Sequence, residues 1–278
     1  MIASAVALSL STLVVQAQTL KTPAPSSSQT IKQAFGLGDI TVDYSRPSVK
    51  GRTVFGDLVP FGKVWRTGAN ASTKITFSED VKVEGKDVKA GTYAVYTIPN
   101  KDSWDFTLYS DLTLNGNTSV YKPENEVLHI TVKPTALTAK VETFTINLAD
   151  VTATSATLEI LWDKTRVPVS ITTEIDAKIM KNIESSLAAD SRPYFQAASY
   201  YYENNKDLNQ ALVWVNKAIE QNPKAFYMTM LKARIELKLK DNKAAIASAE
   251  KTVTLATEAK NDDYIKMGND LIAEAKKK

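Results

Sequence analysis

The distribution of glycine divides the chain into two parts of different architecture. Nine of the ten glycines lie at or before Gly116, and only Gly268 follows them. From Asp39 to about Ile171, apolar residues alternate with polar ones between turn signals, which is the pattern of short antiparallel strands. After Ile171 the apolar period lengthens to about four residues, which is the pattern of amphipathic helices. The sequence therefore predicts an α+β chain of two domains, with the β domain first.

The β half is predicted to contain about nine short strands with no helical pattern between them. In the clearest strand, Ile40, Val42 and Tyr44 share one face, and Thr41 and Asp43 lie on the other. Short alternating strands at this spacing are typical of an antiparallel β-sandwich or of a β-barrel, and both architectures stay open. We assign residues 36–171 to this domain and residues 18–35, which are polar and rich in Pro and Ser, to a linker.

The helical half, residues 172–278, carries an internal repeat of 34 residues. Lys206-Asp207 recurs as Lys240-Asp241, and Ala211 recurs as Ala245. This is the length of the tetratricopeptide unit. Six helices are predicted, over residues 174–188, 193–204, 207–221, 225–239, 242–258 and 261–277.

The first repeat resembles the tetratricopeptide family, and the resemblance spans about residues 190–278. The pattern Phe195-x-x-Ala198-Ser199-x-x-Tyr202 is followed by Ala211, Ala218 and Pro223. In the second repeat Ala245 is kept, whereas Glu236 replaces the Tyr and Thr257 replaces the Pro. The resemblance implies an all-α solenoid that docks a protein partner. The side chains expected to pack its helices are Phe195, Ser199, Tyr202, Ala211, Ala218 and Ala245. An ordinary helical bundle with a coincidental spacing is the alternative.

The first 17 residues form an uncharged, apolar segment that is too short to span a bilayer. Val15-Gln16-Ala17 has small residues at the two positions that a signal peptidase inspects. We predict a signal peptide cleaved after Ala17 and export to the periplasm or the extracellular space. A buried N-terminal strand is the alternative, because the segment lacks the usual basic residues.

The most distinctive stretch of the chain runs from Tyr44 to Asn70 and reads YSRPSVKGRTVFGDLVPFGKVWRTGAN. Together with Lys89-Ala-Gly-Thr-Tyr93 and Tyr96-Thr-Ile-Pro99, it resembles the domain of unknown function 2911 family over about residues 25–165. The resemblance implies an exported protein of a Gram-negative bacterium, sometimes with tetratricopeptide repeats attached. It implies no activity and no site residue.

Between Tyr44 and Lys74 the chain has six cations and one anion, Asp57, interleaved with aromatic residues. Guanidinium groups beside flat aromatic rings suit an anionic carbohydrate or another carboxylate ligand, because Arg pairs with the anion while a ring stacks. The candidate ligand-binding residues are Arg46, Arg52, Trp65, Arg66 and Asn70. The alternative is that the polar members hydrogen-bond loop carbonyls and that Trp65 belongs to the core.

Composition removes several classes of function. The chain has no cysteine, one histidine and a net charge of +3, so thiolate chemistry and a His-based zinc site are excluded and a nucleic-acid partner is not expected. No phosphate-binding motif is present, and no stretch is apolar enough for a transmembrane helix. His129 is expected on a strand face, without a convergent serine and acid. We predict no catalytic residue, no metal site and no cofactor.

The sequence is compatible with three functions. The first is a non-enzymatic envelope protein with a β ligand module and a helical adaptor that docks a protein. The second is a carbohydrate- or ester-processing enzyme with its acids in the β domain. The third is a purely structural protein.

Overall fold

The computed structural model of the protein describes residues 22–188 and 193–277. The predicted signal peptide, residues 1–17, lies outside the described residues. The chain divides into two compact units between Ile175 and Asp176. Within the described residues, no helix has both the length and the apolar character needed to cross a membrane.

The first unit consists of antiparallel strands arranged in two sheets. The described strands are β1 (Ser27–Phe35), β2 (Gly38–Arg46), β3 (Thr73–Phe77), β4 (Val81–Val83), β5 (Lys86–Val88), β6 (Gly91–Pro99), β7 (Trp104–Tyr109), β8 (Glu126–Val132), β9 (Thr135–Ala149) and β10 (Ser155–Thr172). One sheet has the order β1-β2-β3-β6-β7-β8, and the other has the order β5-β4-β10-β9. Neither sheet closes on itself, so a β-barrel is excluded and the antiparallel prediction is confirmed.

The two sheets bury one common core. Ile40, Val42 and Tyr44 of β2 are buried in it, as their alternation predicts, together with Leu158 and Ile160 of β10. Each fully buried side chain of this size contributes about 1.5–3 kcal/mol through the removal of apolar surface from water. The apolar positions of these alternating strands are therefore the positions that are buried in this core.

Strand β1 lies within the segment that the sequence assigns to a linker, so that assignment is wrong for residues 27–35. The strand pairs with β2 along its whole length, and Tyr44 Oη donates to Gln29 Oε1 at 2.8 Å. It is an edge strand, and Phe35 is its one buried residue. A strand that buries so little can be mostly polar, and its composition then resembles that of a linker.

The second unit is helical. Its described helices are α1 (Asp176–Ala188), α2 (Tyr194–Glu203), α3 (Leu208–Gln221), α4 (Phe226–Lys238), α5 (Asn242–Glu258) and α6 (Asp262–Ala275). They confirm the six predicted helices. The repeated aspartate has the same role twice: Asp207 caps α3 by accepting from the backbone N–H of Asn209, and Asp241 caps α5 by accepting from that of Ala244.

Small side chains allow these helices to approach closely. Ala211 and Ala218 of α3 and Ala245 of α5 are all buried. Phe195 and Tyr202 of α2 pack against the cluster that contains Ala211, and Ser199 of the same helix is half-buried. Helix α2 contacts α3 and also α4, and α4 contacts α5 and also α6. The predicted packing positions therefore lie at or beside helix contacts.

Helix α4 also buries a carboxylic acid. Glu236 replaces the aromatic residue of the first repeat, and Ser248 Oγ donates to its Oε2 at 2.6 Å. Lys232 Nζ lies 3.7 Å from the other carboxylate oxygen. Burial raises the pKa of Glu236 above its ordinary value, and the bond from Ser248 opposes this shift.

Substitution of a buried alanine should reveal the tight packing of helix α5. We expect Ala245→Leu to lower the free energy of unfolding by about 1–3 kcal/mol, because the added atoms overpack the contact. Ala247→Leu is the matched control on the exposed face of the same helix and should change stability by less than about 0.5 kcal/mol. Urea denaturation of the full chain measures both. Equal effects of the two substitutions would contradict the packing role.

Candidate functional site

A cavity of about 400 Å³ lies beside the loop that joins β2 to β3, residues 47–72. This loop supplies most of the lining, while Pro25 and Ser26 before β1 and Trp162 of β10 complete it. Three cationic residues, Lys50, Arg52 and Arg66, border the cavity. Among the described residues, no carboxylate side chain belongs to its lining. The cavity is therefore a positively charged site with aromatic walls.

Trp65 forms the aromatic wall and ties the loop to the core. Its ring stacks on Trp162 with a centroid separation of 5.8 Å and meets Phe144 edge-on at 5.4 Å. The indole N–H donates to the carbonyl of Gly68 at 3.1 Å. Gly68 has φ +148°, and a Cβ there would lie 3.0 Å from the carbonyl oxygen of Ser45, so this turn needs glycine. Trp65 remains partly exposed, which leaves an edge of apolar surface for the cavity.

Arg52 borders the cavity and also holds the loop. Its Nε donates to the carbonyl of Val49 at 3.0 Å, and its Nη2 donates to that of Ser48 at 2.6 Å. Both predicted roles of this residue, anion partner and loop anchor, are thus geometrically compatible, because one guanidinium nitrogen is not used by these bonds.

Lys50 is the cavity cation that the candidate residues omitted. Its backbone N–H donates to Glu142 Oε1 at 2.7 Å, and this bond is the main cause of the lowered pKa of Glu142. Lys140 also pairs with Glu142, at 3.2 Å. Glu142, which lies outside the lining, is thus bound by the backbone of Lys50 and the side chain of Lys140, and the charge of Arg52 also lowers its pKa. The density of cations in residues 44–74 was the sequence signal for Lys50.

Arg46 lies outside the cavity. Its Nε donates to the carbonyl of Phe144 at 3.0 Å, and its Nη2 donates to Thr145 Oγ1 at 2.8 Å. It is the last residue of β2, and its partners belong to β9, so it links the two sheets. The expected convergence of Arg46 with Arg52 and Arg66 on one cleft is not observed.

Arg66 borders the cavity, but its guanidinium packs on another loop. A Cβ at Gly116 would lie 2.6 Å from Arg66 Nη1 and 3.3 Å from Cζ, so the group rests directly on that glycine. Tyr96 is nearby: burial raises the pKa of its hydroxyl, and the charge of Arg66 opposes this shift. Arg66 Nε is buried without a hydrogen-bond partner among the described residues. Arg66 and Arg52 therefore have different surroundings.

Asn70 also lies outside the cavity lining. It has φ +57°, and its Nδ2 donates to the carbonyl of Ser26 at 3.2 Å and to Ser45 Oγ at 3.3 Å. These bonds hold the end of the loop against the start of β1. The structure thus brings Arg52, Trp65 and Arg66 to the cavity and places Arg46 and Asn70 at the joints around it.

The other candidate chemistry stays on the surface. His129 is exposed on β8, where its Nδ1 lies 2.8 Å from Glu126 Oε2 and its Nε2 lies 3.8 Å from Asp105 Oδ1. In the part of the chain that the structure describes, no group of three histidine, aspartate or glutamate side chains could hold a metal ion.

The helical unit has a groove of its own, with a volume of about 440 Å³. Side chains of α2, α4 and α6 line it, with Met230 and Met267 among its apolar members. Arg234 and Lys238 lie on the α4 side, and Asp270 and Glu274 lie on the α6 side.

Comparison with known proteins identifies the β half. The family model described as "Protein of unknown function (DUF2911)" matches residues 26–171, which confirms the resemblance of that part. The tetratricopeptide-like segment is not covered by a family match. No curated protein and no solved structure matches the chain.

The position of Arg46 predicts a structural phenotype. We expect Arg46→Ala to lower the free energy of unfolding by about 1–3 kcal/mol, because the half-buried carbonyl of Phe144 loses its donor. Lys63→Ala removes an exposed cation of the neighbouring loop and should change stability by less than about 0.5 kcal/mol. Thermal and urea denaturation measure both. An unchanged midpoint for Arg46→Ala would show that the link between the sheets is dispensable.

Proposed function

The chain belongs to the DUF2911 family of proteins of unknown function, and we propose that it is a non-enzymatic binding protein whose β unit takes an anionic ligand in the cavity beside Trp65. The observation that carries this proposal is the lining: Lys50 and Arg52 border the cavity, together with Arg66, whose guanidinium packs on Gly116, and no carboxylate among the described residues belongs to it. An anionic carbohydrate or a carboxylate would supply the missing negative charge.

Electrostatics favour an anion at this place over any other small ligand. Lys50 and Arg52 are two residues apart in one loop, and Glu142, the acid beside them, is also paired with Lys140. Two cations that border one cavity both attract an anion bound there. Exposed ion pairs contribute about 0–1 kcal/mol each, so useful affinity also requires the partly desolvated surface that Trp65 and Trp162 provide.

For the helical unit we propose a tetratricopeptide-like solenoid that docks a protein partner. The caps Asp207 and Asp241 and the buried Ala211 and Ala245 keep the 34-residue spacing. The contacts α2–α4 and α4–α6 relate helices that are two apart in the chain, as stacked helix pairs do. The groove lined by α2, α4 and α6 is the surface that we assign to the partner.

For the whole chain we propose export after removal of a signal peptide, residues 1–17, to the periplasm or the extracellular space. The mature protein then consists of the β domain, residues 36–171 extended by strand β1, and the helical domain, residues 172–278. We expect N-terminal sequencing of the natively expressed protein to begin at Gln18. Recovery of intact Met1 from the native protein would refute export by cleavage.

The anion site makes a prediction about thermal stability. In low salt, a panel of 2-naphthoate, glucuronate and inorganic sulfate should contain at least one anion that raises the Tm of the full chain, and added NaCl should weaken the effect. Lys50→Gln should remove most of the shift, because it removes a cavity charge without removing the backbone bond to Glu142. Lys63→Gln is the control, since Lys63 lies in the same loop outside the lining, and it should keep the shift.

Two outcomes would contradict the anion site. One is that no member of the panel stabilises the protein at any salt concentration. The other is that Lys50→Gln and Lys63→Gln reduce the shift equally, because the effect would then depend on net charge and not on the cavity.

A further inference from the structure

We propose that the ligand of this cavity is a flat aromatic acid, an aryl carboxylate whose ring lies along Trp65, and not an acidic sugar. The inference rests on the proposed anion site. It concerns the part of the ligand to which the charged group is attached. It follows from which groups of the lining are already engaged and which remain for a ligand.

Most polar groups that border the cavity already bind other protein groups. The indole N–H of Trp65 is used by Gly68, and two guanidinium nitrogens of Arg52 are used by loop carbonyls. Ser48 Oγ lies 3.4 Å from Thr143 Oγ1, and the carbonyl of Ser26 accepts from Asn70. These groups maintain the shape of the loop and are not available for hydrogen bonds to a ligand.

Few hydrogen-bonding groups remain. The ammonium of Lys50 and the third nitrogen of Arg52 are two donors that the loop contacts leave for a ligand, and the hydroxyl of Ser26 is a small third group. Each of these three groups can donate to an anionic oxygen, and an aryl carboxylate needs donors for its carboxylate alone.

The rest of the lining is apolar. Leu58 and Val59 face the cavity with Trp65 and Trp162, and Pro25 and Pro47 add two rigid rings. Leu58 is 41% exposed, whereas Val54 and Val59 of the same loop are buried. An apolar ring inside the cavity would cover this surface. The volume of about 400 Å³ falls within the range of small-molecule sites.

These features discriminate between two kinds of anion. A sugar acid carries hydroxyl groups around its whole ring, and each hydroxyl that enters an apolar site without a partner loses its hydrogen bonds to water. An aryl carboxylate presents one charged end and an apolar perimeter, so it leaves no group unpaired. Its flat ring can also stack or meet a tryptophan edge-on.

The test compares ligands of matched charge and matched shape on the full-length protein. Calorimetry and tryptophan fluorescence should show that 2-naphthoate binds at least about tenfold more tightly than glucuronate, because the sugar hydroxyls are unpaired in the site. Inorganic sulfate probes the charge alone, and 2-naphthamide probes the ring alone. Both should bind more weakly than 2-naphthoate.

Two surface variants locate the binding. Leu58→Ser should weaken the binding of 2-naphthoate by several-fold and leave the binding of sulfate unchanged, because it removes part of the apolar wall and no charge. Leu37→Ser is the matched control: Leu37 is an exposed leucine, at 46%, in the turn between β1 and β2. Lys50→Gln should weaken the binding of both anions.

The outcomes separate the two proposals. Glucuronate binding as tightly as 2-naphthoate would overturn the aromatic ligand and leave the anion site standing. Binding of 2-naphthamide as tight as that of 2-naphthoate would overturn both, because the charge would then have no role. Equal effects of Leu58→Ser and Leu37→Ser would place the ring outside this cavity and overturn the aromatic ligand. The absence of binding by every anion would overturn both proposals.

Discussion

The β unit depends on the packing of one loop tryptophan among rings that both sheets supply. Trp65 contacts Trp104 of β7, Phe144 of β9 and Trp162 of β10. A loop of 26 residues would otherwise cost much conformational entropy to order. Trp65 anchors this loop to the core, and hydrogen bonds of Arg52, Asn70 and the loop backbone set the path of the remainder. The cavity lies beside Trp65, in the space that the folded loop leaves unfilled.

Local patterns were sufficient to predict most of the secondary structure. The alternation of Ile40, Val42 and Tyr44 and the period of four residues after Ile171 are both consequences of burial on one face, which the sequence displays directly. The repeated Lys-Asp at 206 and 240 indicated the 34-residue repeat, and the structure shows that each of these aspartates caps the helix that follows it. Strand β1 was missed because its stability comes from pairing with β2, and pairing leaves little trace in the composition of an edge strand.

The candidate site was only partly predictable, for a physical reason. An arginine that binds a ligand and an arginine that binds a carbonyl look identical in a sequence, since the partner decides the role. The partner of Arg46 lies 98 positions away at Phe144, and the partner of Trp65 lies on β10. The stretch rich in cations and aromatic rings contains most of the residues that line the cavity. It could not indicate that Lys50 would border the cavity and that Arg46 would link the sheets.

The buried glutamate of helix α4 has a consequence for the behaviour of the helical unit in acid. Since the folded state holds Glu236 at a pKa above its ordinary value of 4.5, it retains a proton at pH values where the unfolded chain has released it. Acidification from neutral pH toward 4.5 therefore favours the folded state at this position, and the gain is complete once the unfolded chain is protonated too. Asp176 contributes in the opposite sense, because the hydrogen bonds from Lys206 and Tyr200 lower its pKa in the folded state. The second helical repeat thus contains its own partial protection against acid unfolding, at the position where the first repeat has Tyr202.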